Sequence, residues 1–275
     1  MSKEVKTATA SNKTAGGFSA LLSAISIVIA LIIGIIIYKF ILGNPANFID
    51  NNPEGEPLKG NFLGVVYKGG VIVPVLIAVN LIVIIFMFER FLTLAKIKGQ
   101  GKLDAFIEKV KHLLANGNVD AALTECNKQK GSLANVVRAG LLKYKLLQDD
   151  TSLDKEKKIE AVKQELEEAI TLEGPMMSKN LVILSTIASV SVLIGLVGTV
   201  LGMIRAFAAM SHGTPDTAQL ATGISEALIN TALGIFGSLI AIIFYNLFST
   251  KVDQMTHAMD EASFTIVQDF SKSVR

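Results

Sequence analysis

The sequence predicts an all-α, polytopic membrane protein: about four transmembrane helices with a helical cytoplasmic stalk between the second and third. Three observations carry this. Hydrophobic residues make up 51% of the 275 residues while charged residues make up only 18%, and the mean hydropathy is +0.50. The apolar residues gather into runs of about 20 or more, the length that crosses a bilayer as helix. Between the second and third runs, apolar residues instead return at every third or fourth position with charges between them, the pattern of helices that pack on one another in water.

Composition also excludes several classes. A single cysteine, Cys126, rules out an internal disulfide framework, and His112, His212 and His257 are scattered without metal-ligand spacing. No cofactor or metal is expected. The net charge of +2, with bases and acids interleaved, gives no footprint for nucleic acid. Phosphate-binding glycine loops and nucleophilic triads are missing from the sequence, so the expected class is not an enzyme.

Residues 1–17 are polar and hold Lys3, Lys6 and Lys13. The first span is expected at 18–42, uncharged from Phe18 to Tyr38. Its apolar run exceeds that of a signal peptide and no Ala-x-Ala site follows, so it reads as an uncleaved anchor. Residues 43–70 form a loop with Pro45, Pro53, Pro57 and several asparagines, poor in Lys and Arg as an outer loop is. A second span is expected at 71–95, broken early by Pro74 and ending in Glu89 and Arg90, which point to different helix faces and anchor the interface. Lys96, Lys98 and Lys102 follow closely, and basic residues at this end place it in the cytoplasm. The cytoplasmic region, 96–179, divides into amphipathic stretches at 103–115, 119–127, 133–147 and 154–173. The third span is expected at 180–210, a periplasmic turn at 211–219, the fourth span at 220–248 and a cytoplasmic helix at 249–275. Both termini are then cytoplasmic.

The fourth span carries one carboxylate, Glu226. An acid at such depth costs about 2.5–3.5 kcal/mol on insertion scales, so it marks a protein interior or a wet cavity by default. At 100° per residue, Gly223, Glu226, Asn230, Thr231, Gly234 and Gly237 share one small or polar half of the helix, and Leu228, Ile235, Phe236, Leu239 and Ile242 fall on the other. Glu226 could alternatively snorkel from the outer end; Asn230 and Thr231, one turn deeper, argue for the interior. Thr231 lies about 140° from Glu226 on the projection, so the two need not share a pocket. On the third span Ser191, Gly195, Gly198 and Gly202 form a ridge of small residues at spacings that let helix backbones touch. Thr199 lies beside the ridge, free either to serve a pathway or to bond its own helix carbonyl. Arg205, the one base of this span, can snorkel or meet Glu226.

The two motifs IGLVGTVLGMIRAF at 194–207 and GISEALINTALGI at 223–235, with IFYN at 243–246, resemble the MotA/TolQ/ExbB proton channel family, and within it the ExbB branch. The resemblance covers roughly 71–252; the extra first span departs from the three spans usual in ExbB and TolQ chains. It implies a pentameric ring in the bacterial inner membrane around a single-span, ExbD-like partner with an intramembrane aspartate, and proton flow that energises TonB-dependent import. It also implies that Thr199, Glu226 and Thr231 face the ion pathway, with Asn230 and Arg205 as tuning residues. Stator roles of the TolQ or MotA kind share this chemistry, sodium coupling stays open, and a non-conducting scaffold is the reading from another class. A neighbouring gene for a single-span protein with an intramembrane aspartate would separate channel from scaffold.

Overall fold

The computed structural model describes residues 25–148, 150, 152–210 and 217–273. Expectations for 1–24, for the turn at 211–216 and for the last two residues therefore lie outside the described residues. Those residues form nine α-helices: α1 (Ile25–Leu42, whose last turn is π-helical), α2 (Phe62–Tyr67), α3 (Val73–Lys98), α4 (Leu103–Ala115), α5 (Val119–Gln129), α6 (Gly131–Gln148), α7 (Lys155–Ser178), α8 (Leu181–Ala208) and α9 (Thr217–Ser273). No strand occurs among them, only an isolated bridge between Phe48 and Pro57. Four helical stretches are long and apolar enough to cross a membrane. The chain divides into two compact units: residues to Phe86 with Leu184–Ile243, and Met87–Ile183 with the residues from Phe244.

In the first unit, α1 exposes Ile25, Val28, Ile29, Ile32 and Ile36 but buries Ala30 completely. Four residues on, Gly34 sits so close to α3 that an added Cβ would lie 2.6 Å from the Pro74 carbonyl oxygen, which is how small residues one turn apart let backbones meet. Pro74 does not break the second span, as the sequence suggested. It is the second residue of α3, where the missing N–H is one no helix turn would use.

The asparagine-rich segment after α1 is built rather than loose. Asn44 Oδ1 accepts from the Ala46 N–H (3.0 Å), and Asn61 caps α2 by accepting from the Leu63 and Gly64 N–H groups (3.0 and 3.2 Å). Asn47 donates to the carbonyls of Ile41 and Leu42 that end α1 (2.8 and 3.0 Å) and accepts from Asn61 Nδ2 (3.0 Å). Tyr38 of α1 stacks on Tyr67 of α2 at 4.7 Å.

In the second unit, α4 to α7 pack with the C-terminal half of α9 around Phe106, Val110, Leu133, Val137, Leu141 and Tyr144. Val162 and Leu166 of α7 are fully buried and Ile159, Ala169 and Ile170 pack partly against them. The sequence separated a fourth span from a C-terminal helix; they are one 57-residue helix. No Gly or Pro interrupts it after Gly237, and Met255, Met259, Ala262, Ile266 and Phe270 return at threes and fours to the buried core. Asn180, at φ 60°, takes the left-handed conformation that ends one helix before the next begins. Arg90, which adjacency to Glu89 suggested would point elsewhere, is 1% exposed. Its Nε and Nη2 fold back to donate to Glu89 at 2.6 Å each, while Thr93 and Asn180 donate to the same carboxylate.

Cys126 is 3% exposed in this core, and burial pushes its thiol up to about 12. The raised value means the thiolate, the reactive form, is lost as pH falls below that point; at pH 8 roughly one thiol in ten thousand is ionised. Cys126 should therefore resist a soluble maleimide at pH 8 in native membranes, permeabilised or not, and react fully in denaturant. Labelling of the folded chain at the rate of an exposed thiol would contradict this packing.

Candidate functional site

The site begins with how closely α8 and α9 approach. A Cβ added at Gly202 would lie 2.7 Å from the Gly223 carbonyl oxygen, and one at Gly223 would lie 2.7 Å from that of Gly202. Two turns along, Gly195 and Gly234 face each other in the same way: a Cβ on Gly234 would stand 2.9 Å from the Gly195 Cα. Gly198 is covered by the Asn230 side chain, and Gly237 by the Ser191 hydroxyl. Ser191 Oγ donates to the Gly234 carbonyl at 2.8 Å, and Ser238 Oγ to that of Ala188 at 2.5 Å. The small-residue ridge thus meets its partner within one chain, so a bulky Gly198 variant acts first on this hairpin and only through it on assembly.

That approach brings Thr199 and Thr231 together. Their hydroxyls are hydrogen-bonded to each other, and each also reaches a helix carbonyl, Thr199 that of Gly195 (3.1 Å) or Ala227 (3.3 Å) and Thr231 that of Ala227 (3.1 Å). Each hydroxyl has one proton, so these contacts are alternatives. Donation can pass from carbonyl to neighbouring hydroxyl by rotation about one bond. Both threonines are half-buried, at the edge of the α8–α9 seam.

Glu226 lies apart from that pair; no hydrogen bond among the described residues links it to Thr231. It is 2% exposed, and Arg205 Nη1 stands 2.7 Å from each carboxylate oxygen. The Arg205 side chain itself is 53% exposed. Glu226 is therefore a buried acid with a wet-facing cation. Behind it is Gly70, at φ +76°, where any side chain would both strain the backbone and overlap the carboxylate. The preceding Gly69 carbonyl accepts from Asn230 Nδ2 at 2.8 Å, and Asn230 Oδ1, fully buried, has no partner among the described residues. A cavity of about 520 Å³ opens in front of the ion pair, lined by Tyr38, Tyr67, Lys68, Arg205, Thr222 and Glu226 among others. Lys68 donates to the carbonyls of Pro53 and Glu54 (3.1 and 2.9 Å), and burial holds its ammonium below the usual lysine range, with Glu54 pulling partly back.

Sequence reasoning missed Gly69, Gly70, Tyr38, Tyr67 and Asn80. A Gly-Gly pair at the start of a span and a lone asparagine within one were the available signals. Asn80 Nδ2 donates to its own helix at Leu76 (2.8 Å) and toward Leu233 of α9 (3.4 Å). Among the described residues no three His, Cys, Asp or Glu side chains are grouped to hold a metal.

The paired threonines on two consecutive spans, at the positions of the two motifs, are the geometry against which known proteins can be compared. Residues 128–261 match the MotA/TolQ/ExbB proton channel family, a stretch that takes in α8 and α9 as far as Glu261. Over this stretch the chain is similar to that family. Relatives include the Tol-Pal system protein TolQ of Pseudomonas aeruginosa, 34% identical over 121 residues, covering 44% of this chain and 52% of that protein. The biopolymer transport protein ExbB of Pseudomonas putida is 31% identical over 145 residues, 52% of this chain and 44% of the relative. A putative ExbB homolog of Methanothermobacter thermautotrophicus is 27% identical over 198 residues, 70% of this chain and 66% of the relative. The chain thus spans about half the length of the first two relatives. The family's matched stretch contains all the candidate residues from Ser191 to Gly237.

Proposed function

We propose that this chain is the ring-forming subunit of an ion-driven motor in the bacterial inner membrane, an ExbB-like protein that conducts protons with an ExbD-like partner and energises TonB-dependent import. The observation that carries this reading is the Thr199–Thr231 hydroxyl pair, half-buried at the edge of a glycine-tight hairpin that matches a proton channel family. Among the described residues the hairpin supplies hydroxyls but no second carboxylate near them, which supports the intramembrane aspartate of the single-span partner as the titrating acid of the relay. The partner sits in a ring, a pentamer as the family resemblance implies, with the threonine edge of each subunit turned to it. Glu226 and Arg205 stand at the outer entrance and set its electrostatics. Lys3, Lys6 and Lys13 before α1 and Lys96, Lys98 and Lys102 after the apolar part of α3 support a cytoplasmic side for both termini.

The test is proton flux in vesicles reconstituted with the partner, at equal complex content and with sodium replaced by choline in one arm. Thr199→Ala and Thr231→Ala should each lose most of the flux with assembly intact, since deleting one such hydroxyl costs only about 1 kcal/mol. Thr231→Ser, which restores a hydroxyl, should recover it. Wild-type flux in both alanine variants would remove the pair from the pathway, and flux that vanishes with sodium would reassign the ion. Relatives named TolQ and ExbB match at similar identity, which supports a second reading, a TolQ-like subunit for envelope constriction. Complementation of a strain lacking one system or the other separates the two.

A further inference from the structure

The second unit contains a cavity of about 280 Å³ where the basic end of α3 faces the segment of α9 that follows its apolar run. Its floor is Leu94 and Phe248, exposed 4% and 1%, with Met255 at 4%, and its wall is Phe91, exposed 58%. Lys98, Lys251 and Gln254 also line it, and no carboxylate does. Neither lysine is in an ion pair among the described residues. An exposed phenylalanine beside an apolar floor matches an acyl chain, and two free ammonium groups with an amide donor match one phosphodiester. Both helices leave their membrane-length apolar stretches here, at the depth where headgroups lie.

We infer that this cavity is a binding site for one anionic phospholipid, its phosphate held between Lys98 and Lys251 and the start of an acyl chain laid along Phe91, Leu94 and Phe248. The inference is independent of ion conduction. Each lysine near an anionic headgroup contributes about fivefold in retention, so the pair prefers an anionic over a zwitterionic lipid of equal chain length by more than tenfold.

The chain has no tryptophan, so Phe91→Trp in the full-length protein supplies a lone indole at the cavity wall. In nanodiscs that hold phosphatidylcholine doped with brominated phosphatidylglycerol, its fluorescence should be quenched at more than tenfold lower doping than with brominated phosphatidylcholine. Adding Lys98→Gln with Lys251→Gln should erase that preference. Adding Lys96→Gln with Lys102→Gln, an equal charge change outside the cavity, should leave it. Equal loss in the two double variants would reduce the effect to net charge and overturn the site. Inorganic phosphate that relieves quenching at concentrations matching the lipid would show a phosphate site without a chain pocket, which also overturns it. So would an indole shielded in pure phosphatidylcholine only as protein per disc rises, because a second copy of this chain would then be the occupant.

Discussion

Glu226→Gln is expected to assemble with the partner and to lose most proton-driven flux, roughly tenfold or more, equivalent to about 1.4 kcal/mol at the limiting step. Gln preserves the shape against Gly70 and can still accept from Arg205 Nη1, which stands 2.7 Å from each oxygen in the native chain. What it removes is the negative charge. Glu226→Ala removes the charge, the hydrogen bond and the filling of a site that is 2% exposed, so it should also lower stability. Near-native flux in Gln with impairment in Ala would mean that a polar contact is all the position supplies.

The Arg205 partnership adds a discriminating arm. Because the arginine side chain is 53% exposed, it can turn to water when its partner is neutralised, at the small energies typical of exposed ion pairs. If Glu226 served only to restrain Arg205, then Arg205→Gln combined with Glu226→Gln should restore flux. If the carboxylate charge itself acts on the entrance, the double variant stays as low as Glu226→Gln. The second outcome is expected, since the acid and not the base is the buried member of the pair. Flux is the readout, with complex content held equal by native mass analysis.

The pattern of the site was legible in sequence because its determinants are local. Helical period alone places Glu226, Asn230, Gly234 and Gly237 on one face of α9 and the four ridge residues on one face of α8, and a carboxylate in an apolar run identifies itself by its cost. Partners across the chain were not legible. Tyr38 meets Tyr67 and Asn230 meets the Gly69 carbonyl through tertiary packing that no periodicity encodes, and Gly70 matters because of what lies opposite it. Charge adjacency misled at Glu89 and Arg90, where a long side chain folded back. Pro74 was read as a break because propensity penalises proline inside a helix, although the first turn accommodates it. The burial of Cys126 was equally hidden, since a sequence position does not show what packs around it.

The largest structural effect is expected at the α8–α9 seam. A Cβ on Gly202 would meet backbone atoms of Gly223 and Ala227 at 2.7 Å, and backbone cannot rotate away as a side-chain end can. Gly202→Ala must therefore push the two helices apart, at a cost of about 1–3 kcal/mol for overpacking, against a helix-propensity gain of about 1 kcal/mol. The separation also parts Thr199 from Thr231, so flux should fall further than stability does. Gly202→Leu should leave little folded complex to purify. Gly174→Ala in α7 is the matched control: its added Cβ meets nothing within 4 Å, so only the propensity gain acts and the variant should be slightly more stable than the native chain. Thermal unfolding in detergent compares the two directly, with the order Gly174→Ala above native above Gly202→Ala. Were Gly202→Ala to melt with Gly174→Ala, the helices would not be in backbone contact at this point. The hydroxyl pair would then need some support other than the glycine seam.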